Sequence, residues 1–392
     1  MSLRILIVVT HLLGAGHLTR AAAIARAAAA QGHRPTLVTG GAPSPLVDVA
    51  GVEVVQLPPV RTPLGDFTSL RDLAGRPVGP ELLASRREIL LRTVAAVRPD
   101  VVVTELFPFG RRVLAPEFRA LIGAVEAAPD RPILACSIRD ILAAPSRPEK
   151  AAATHDLLRR HYDAVLVHGE AALIPLEASW PVDADLRERL TYTGYIGPDA
   201  WSESEAPSPR DDETILVSGG SSAAALPLYR AALGAAAERG NLRWHILVGA
   251  GVDEAGHQDL VRRAPSNATV ERSRSDFRDL LRKSAVFVGQ AGYNTVMDIV
   301  ATQPRAVLVP FEQAGETEQK RRATALAERG LVTLLAESKL DSGILRRGVE
   351  AALARPRPVF PPIRLDGASA TVACIERLAR SGARRRATGA AA

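Results

Sequence analysis

The sequence is poor in cysteine and in aromatic residues, and both shortages exclude classes of protein. Its 392 residues include only Cys136 and Cys374, and two thiols so far apart cannot form the disulfide framework of a small secreted domain. We therefore expect a reducing, cytoplasmic location. Aromatic residues make up 4% of the chain and none lies between the C-terminal arginines, so a nucleic-acid partner is not expected.

The sequence also lacks long apolar runs, and it has little net charge outside its C-terminal end. No apolar run approaches the roughly 20 residues of a membrane helix, and the apolar N-terminus has no small-residue cleavage site after it, so it predicts a first buried strand. The formal net charge is +6, and most of it comes from C-terminal arginines. These are Arg377, Arg380, Arg384, Arg385 and Arg386.

The end of the chain therefore differs from the nearly neutral body. We predict that residues 382–392 form a basic, disordered, solvated tail. The alternative is that the tail contacts an anionic membrane, which would place the protein peripherally at the inner membrane face.

What the sequence does contain is a regular alternation of short apolar runs with longer, Ala-rich stretches of helical period. This alternation is typical of α/β folds in which both faces of a parallel sheet are covered. It predicts two doubly wound, Rossmann-like lobes, residues 1–197 and 214–365. The polar segment 198–213 contains three prolines and is the predicted linker, and residues 366–381 are predicted to form a closing helix.

A glycine-rich turn follows the first predicted strand, where doubly wound sheets bind ligands. Gly14, Gly16 and His17 occupy it, and Thr19 stands where a dinucleotide-binding loop has its third glycine. The second strand also ends without the acid that would bind a ribose, so no nicotinamide, flavin or other cofactor is expected. His17 is a candidate general base; His11 competes with it, and a turn without a catalytic role is the alternative.

The second lobe contains candidate groups for binding a diphosphate and sugar hydroxyls. Backbone amides after two strands, near Gly219, Gly220 and Ser221 and near Gly292, could hold phosphate oxygens. Asn294 or Thr295 is predicted to cap the following helix. Asp298 could then bind diol hydroxyls, and Glu318 and Gln319 could bind sugar hydroxyls, although all three also suit ordinary positions near a helix start.

Other charged residues have less specific interpretations. Polar residues after first-lobe strands are candidates for an acceptor-binding wall or for surface salt bridges: Glu105, Arg111, Arg112, Arg139 and Asp140. The pair Asp183 and Asp185 resembles a metal–diphosphate motif. Because the pair opens a helix-like stretch, we predict that it caps a helix and that the protein has no metal site.

Taken in order, these motifs resemble the family 28 glycosyltransferases, of which the lipid II N-acetylglucosaminyltransferase is typical. The likeness is greatest to a bacterial branch with a G-Y-N-T-V motif. The matching residues are Gly14, Gly16, His17, Gly292, Tyr293, Asn294, Thr295, Val296, Asp298, Ile299, Glu318 and Gln319.

The resemblance implies the GT-B fold, with a cleft between the lobes, the donor nucleotide on the second lobe and the acceptor on the first. It further implies inverting transfer of a sugar from a UDP- or TDP-sugar to an acceptor hydroxyl, with His17 as base and the nucleobase near residues 270–277. A non-hydrolysing nucleotide-sugar 2-epimerase shares this architecture. A non-catalytic nucleotide-sugar-binding protein is the third hypothesis.

Overall fold

The computed structural model describes residues 2–12, 15–44, 47–63, 69–197, 211, 213–220, 223–238, 242–312 and 317–389. It divides the chain into two compact units. Unit 1 consists of residues 1–171, 175–199 and 364–392, and unit 2 consists of residues 172–174 and 200–363. Each unit is a parallel α/β sheet, as the alternation in the sequence predicts.

In the described part of unit 1, seven parallel strands form one sheet in the order β3-β2-β1-β4-β5-β6-β7. The strands are almost continuously apolar because helices cover both faces of the sheet. The elements are β1 (Arg4–Val9), α1 (Gly16–Ala30), β2 (Arg34–Thr39), β3 (Glu53–Gln56), α2 (Pro80–Val97), β4 (Val101–Glu105), α3 (Ala115–Glu126), β5 (Ile133–Arg139), α4 (Pro148–His161), β6 (Ala164–His168), α5 (Ala184–Arg189) and β7 (Leu190–Tyr192).

Alternate residues of these strands enter two separate apolar clusters. In β1, Leu6 and Val8 belong to one cluster, whereas Ile5, Ile7 and Val9 belong to the other. This is the two-residue period of a strand with a core on each face. Buried strands of this kind hold the residues at their carboxyl ends in fixed positions.

The sheet of unit 2 has six parallel strands in the order β10-β9-β8-β11-β12-β13 in the part of the chain that the structure describes. The elements are β8 (Thr214–Ser218), α6 (Leu226–Glu238), β9 (Arg243–Val248), α7 (Glu254–Arg263), β10 (Ala268–Arg272), α8 (Phe277–Lys283), β11 (Val286–Gly289), α9 (Tyr293–Thr302), β12 (Ala306–Leu308), α10 (Glu318–Glu328), β13 (Thr333–Leu334) and α11 (Ser342–Leu353).

The final helix, α12 (Gly367–Gly389), belongs to unit 1. Val372, Cys374 and Ile375 are buried in the same cluster as Ala21 and Ile24 of α1. The helix continues past residue 381, its predicted end. The backbone of residues 382–389 is therefore helical, and the prediction of a disordered tail is wrong for these residues. Alanine and arginine are both strong helix formers, which accounts for the extension.

Most of the predicted linker, and the arginine side chains past Gly382, lie outside the described residues. Membrane contact through the tail therefore stays a prediction. Among the helices that the structure describes, none is both long and apolar enough to span a bilayer.

Candidate functional site

The strand order of each sheet indicates where a ligand site is expected. In unit 1 the order reverses between β1 and β4, and in unit 2 between β8 and β11. Ligands of doubly wound sheets bind outside the carboxyl ends of the strands at such a switch point. The loop after β1, which contains His17, and the end of β4, at Glu105, therefore form the candidate site of unit 1.

His17 and Glu105 are hydrogen-bonded to each other at this switch point. His17 is the second residue of α1, and its Nδ1 lies 2.9 Å from Oε1 of Glu105, the last residue of β4. The Glu105 side chain is 1% exposed and that of His17 is 13% exposed. A Cβ on Gly16 would meet no other atom within 4 Å, whereas Gly14 lies outside the described residues.

The environment of His17 keeps its imidazole neutral. Burial lowers the pKa of His17 from its usual 6.5 to about 3, although the hydrogen bond to Glu105 acts in the opposite direction. The positive charges of Arg111 and Arg20 lower this pKa further. Burial is thus the principal cause of the lowered pKa of His17.

Glu105 is buried at the end of β4 and not exposed on the surface. Burial alone raises the pKa of its carboxyl group, but the charge of Arg20 and the hydrogen bond from His17 outweigh burial and hold the pKa well below its usual range. Arg20 Nη2 donates to the same Oε1 that contacts His17, and Ser137 Oγ donates to Oε2. A buried carboxylate with this set of partners is not a surface salt bridge.

Behind Ser137 the hydrogen bonds continue into the sheet. Ser137 Oγ lies 2.7 Å from His168 Nε2, and His168 Nδ1 lies 2.8 Å from Thr193 Oγ1. Sequence reasoning missed Arg20, Ser137, His168 and Thr193. One signal was available, because β5 and β6 are apolar runs in which Ser137 and His168 are isolated polar residues near the carboxyl end.

The remaining first-lobe candidates occupy different positions. Arg111 Nε donates to the Thr10 carbonyl at 2.6 Å, and burial lowers the pKa of Arg111 to about 10. Arg112 is exposed, and Arg139 is the half-buried last residue of β5. Asp140 is fully buried, and its Oδ1 accepts from the Ile141 amide at 2.9 Å.

His11, the competing base, is also buried. Its Nε2 donates to the Ala42 carbonyl at 2.8 Å, and its ring packs directly against Gly41. Nε2 thus carries the hydrogen, and the Nδ1 lone pair, which would have to accept the proton of a ligand, is buried against Gly41. This geometry favours His17 over His11.

In unit 2 the loop after β11 leads into α9. Gly292 occupies the N-cap with an extended backbone (φ −60°, ψ 153°), and no side chain caps the helix. The prediction that Asn294 or Thr295 is the cap is therefore wrong, because the helix already begins at Tyr293. Asn294 and Thr295 lie instead in the first turn, whose amides have no acceptors within the helix and can bind an anion.

Asp298 lies one turn further along α9 and is paired with an arginine. Arg278 Nε donates to Asp298 Oδ1 at 2.6 Å, and the Asp298 side chain is 14% exposed. Burial raises the pKa of Asp298, although Arg278 opposes this effect. Arg278 was not foreseen from the sequence, because it lies on another helix, α8.

Glu318 and Gln319 begin α10 and are both held by nearby groups. Gln319 Oε1 accepts from the amides of Ala291 and Phe311, at 3.1 and 3.2 Å. It therefore connects the loop after β11 to the loop after β12. Glu318 Oε1 accepts from Arg322 Nη2 at 2.8 Å. Arg322 is fully buried and also donates to the Ala291 carbonyl at 3.0 Å; sequence reasoning missed it.

The glycines after β8 allow a tight turn. A Cβ on Gly219 would overlap the Ala225 side chain, and Gly220 has a positive φ of +70° that favours glycine. The Gly219 amide donates to Tyr229 Oη at 3.1 Å, and the Gly220 amide to Ser218 Oγ at 3.4 Å. Both amides thus have partners within the protein, and Ser221 lies outside the described residues.

The Asp183–Asp185 pair caps a helix, as predicted. Asp183 is the N-cap of α5, and its Oδ1 accepts from the Leu186 amide at 2.8 Å. Asp185 pairs with Arg159 at 3.0 Å. Among the residues that the structure describes, no three or more His, Cys, Asp or Glu side chains are grouped so as to hold a metal ion.

Comparison with known proteins finds a family match for unit 2. Residues 214–361 match the model of the glycosyltransferase family 28 C-terminal domain. A UDP-N-acetylglucosamine–N-acetylmuramyl-(pentapeptide) pyrophosphoryl-undecaprenol N-acetylglucosamine transferase of Synechococcus sp. (strain JA-3-3Ab) is 30% identical over 157 residues, which are 40% of this chain and 41% of that protein. The alignment thus spans about two fifths of that relative.

Two solved structures resemble nearly the whole chain. MurG of Acinetobacter baumannii has a TM-score of 0.60 and 17% identity, and the alignment covers 95% of this chain and 99% of the MurG chain. The spinosyn rhamnosyltransferase SpnG complexed with thymidine diphosphate has a TM-score of 0.58 and 17% identity, covering 99% and 100%. The predicted GT-B fold of the chain is confirmed, and so is the predicted resemblance to family 28, since residues 214–361 match the glycosyltransferase family 28 C-terminal domain.

Proposed function

We propose that this protein is a glycosyltransferase that moves a sugar from a nucleoside diphosphate donor to an acceptor hydroxyl with inversion, and that His17 is the general base. The single observation that carries the proposal is the buried His17–Glu105 pair. It lies at the switch point of the unit 1 sheet, in a chain whose other unit contains a family 28 glycosyltransferase domain.

The pair has the properties that proton abstraction requires. Nδ1 of His17 lies 2.9 Å from Glu105 Oε1 and 3.0 Å from Arg20 Nη2. Because Glu105 is ionised and can only accept, we assign the hydrogen of His17 to Nδ1, directed at Oε1, and this leaves the Nε2 lone pair for the hydroxyl proton of the acceptor. When Nε2 takes up that proton, the neighbouring carboxylate stabilises the imidazolium that forms. An acid that orients a histidine and stabilises its charged form is a recurring arrangement in enzymes.

The donor half of the proposal rests on unit 2. A diphosphate held at the first turn of α9 would gain stabilisation from the helix amides and dipole as negative charge grows on it. Asp298 and Glu318 would then bind hydroxyls of the ribose and the sugar. The SpnG complex with thymidine diphosphate supports a nucleoside diphosphate as the ligand of this fold.

One assay separates the proposal from the two alternative functions. The protein is incubated with UDP- and TDP-sugars, with and without alcohol acceptors, and the products are analysed by mass spectrometry and NMR. A transferase releases nucleoside diphosphate and forms a glycoside of inverted anomeric configuration. Appearance of a C2 epimer would instead support the epimerase, and tight binding without turnover would support a binding protein.

Replacing Asp298 with alanine is expected to weaken nucleoside diphosphate binding by about 1 to 3 kcal/mol, because hydrogen bonds to a charged group are lost. Isothermal titration calorimetry with UDP and TDP measures the change. Asp279→Ala is the matched control, since Asp279 lies on the surface of α8 and pairs with Arg282. Equal affinities for the Asp298 variant and the unaltered protein would remove Asp298 from the donor site.

Turnover is expected to be independent of divalent metal ions. The helix α9 supplies stabilisation that Mg²⁺ supplies in metal-dependent transferases, and Asp183 and Asp185 are occupied in capping and ion pairing. Initial rates in excess EDTA should equal those in added Mg²⁺ or Mn²⁺. A rate that EDTA abolishes and Mn²⁺ restores would contradict this prediction.

A further inference from the structure

The hydrogen bonds behind Glu105 make up a chain that the proposed reaction does not itself require. It runs from Thr193 through His168 and Ser137 to Glu105. We propose that Ser137, His168 and Thr193 are positioning residues: they hold the Glu105 carboxylate in place and thereby fix which nitrogen of His17 carries the proton. This inference rests on the proposed function for its catalytic meaning.

The chain is sealed from solvent along its length. His168 is 0% exposed, Ser137 1% and Thr193 2%. The three residues come from neighbouring parts of one sheet: β5 pairs with β6 with Ser137 opposite Leu166, and Thr193 follows directly after β7. Strand pairing therefore sets the spacing of these hydrogen-bonded residues, and Glu105 connects them to His17.

Each hydrogen in the chain can be placed by elimination. The ionised Glu105 carboxylate can only accept, so the Ser137 hydroxyl uses its one hydrogen on Oε2. Ser137 Oγ must then accept from His168, which places a proton on Nε2. Burial lowers the pKa of His168 to about 3, so its ring is neutral, and Nδ1 accepts the hydrogen of Thr193.

All three hydrogens thus point towards Glu105, and this direction has a consequence for His17. With Oε2 occupied by Ser137, only Oε1 faces His17 Nδ1 and Arg20 Nη2. A guanidinium prefers to bind a carboxylate through both oxygens. Without the Ser137 hydroxyl, Glu105 is free to turn towards Arg20, and His17 Nδ1 loses its acceptor.

The cost of burying these groups argues that they do more than fill space. A buried hydroxyl or imidazole is tolerated only when its hydrogen bonds are made, and apolar side chains of similar size would pack in the same sheet without that demand. Ser137 lies between apolar neighbours, Cys136 and Ile138, each 0% exposed. A fully satisfied polar chain in such a place fixes a single arrangement of its members.

The test uses the full-length protein labelled with ¹⁵N-histidine and needs no substrate. Two-bond ¹H–¹⁵N spectra report the tautomer of each ring, and His17→Gln and His168→Gln variants assign the two signals. The expected result is a proton on Nδ1 of His17 and on Nε2 of His168. In Ser137→Ala, His17 should shift towards the Nε2–H tautomer, and Thr193→Val should produce a smaller shift.

Thr104→Val is the matched control. Thr104 is a fully buried hydroxyl residue of β4 beside Glu105. Its Oγ1 bonds to the Phe107 carbonyl and to Tyr162 Oη, which do not belong to the hydrogen-bonded series from Thr193 to Glu105. It should leave the His17 tautomer unchanged. A His17 signal that is equally unchanged in Ser137→Ala, with thermal unfolding showing an intact fold, would overturn the inference.

Kinetics distinguish a positioning role from a purely structural one, because only a positioning residue is expected to change kcat without changing KM. With a donor and acceptor that react, Ser137→Ala should lower kcat by roughly ten- to a hundredfold, the cost of a displaced catalytic group, while KM for the donor stays within about twofold of the original. His168→Gln keeps a side-chain N–H and should lose less than His168→Leu. Equal losses of kcat in these two variants would contradict the positioning role of His168.

Failure of the inference and failure of the proposed function are distinguishable. If no donor reacts with any acceptor, the proposed function is overturned, whereas the tautomer shift in Ser137→Ala still supports the positioning of Glu105. If transfer occurs but Ser137→Ala changes neither the His17 tautomer nor kcat, the proposed function stands and the positioning role of Ser137, His168 and Thr193 is overturned.

Discussion

Replacing His17 with alanine is expected to lower kcat by about 10² to 10⁴, the usual contribution of a positioned general base. The affinity for UDP or TDP should change by less than about twofold, because the proposed donor groups belong to unit 2 and His17 to unit 1. Initial-rate kinetics and calorimetry on the same preparation measure both quantities. An effect confined to kcat is the mark of a group that acts in the transition state.

His11→Gln is the control for this experiment. It removes the other histidine of the loop after β1, whose Nε2 donates to the Ala42 carbonyl, and it should leave most of the turnover. A large kcat loss in His11→Gln together with normal turnover in His17→Ala would reverse the assignment of the base.

The pH profile supplies a second check on His17. Because burial holds its pKa at about 3, the imidazole is neutral throughout the range from pH 5 to 8. A plot of kcat/KM should therefore show no acidic limb near pH 6.5, where a solvent-exposed histidine titrates. An acidic limb at that pH, retained after mutation of every other histidine, would contradict the buried environment described for His17.

Replacing Glu105 with alanine is expected to destabilise the fold by about 3 to 5 kcal/mol, the cost of removing one partner of a buried ion pair. The Arg20 side chain, 7% exposed, would keep its charge without this carboxylate, and the hydroxyl of Ser137 would lose its acceptor. The free energy of unfolding in urea, measured at pH 7, gives the size of the effect. The same variant should also lose turnover, because His17 loses its orienting acid.

Glu88→Ala is the matched control for stability. Glu88 pairs with Arg92 on the surface of α2, and each side chain is 69% exposed, so its removal should change the unfolding midpoint very little. If Glu105→Ala unfolds at the same urea concentration as Glu88→Ala, the ion pair with Arg20 does not contribute as its burial implies.

The sequence predicts those features of the molecule that depend on local patterns. Apolar strand runs and alanine-rich helices indicate the two parallel sheets, and a carboxylate after a proline indicates the Asp183 cap. The cap of α9 was mispredicted because Gly292 and Asn294 are both acceptable at such a position. The choice depended on backbone angles that the sequence does not display.

The polar chain behind Glu105 could not be predicted for a different reason. Glu105, Ser137 and His168 are more than thirty residues apart in sequence, and they meet because β4, β5 and β6 are adjacent and in a particular register. An isolated histidine at the end of an apolar strand has many environments open to it. Arg322 is similar, since its partner Ala291 belongs to another βα loop.

The return of the chain to unit 1 at Arg364 affects how the protein is made on the ribosome. Translation produces α12 after all the other described elements, yet Val372 and Ile375 of this helix complete the apolar cluster that covers α1. All of unit 2 is synthesised before that cover exists. Unit 2 can therefore finish folding first, while one face of the earlier-made unit stays exposed to chaperones and to other nascent chains until α12 has been translated.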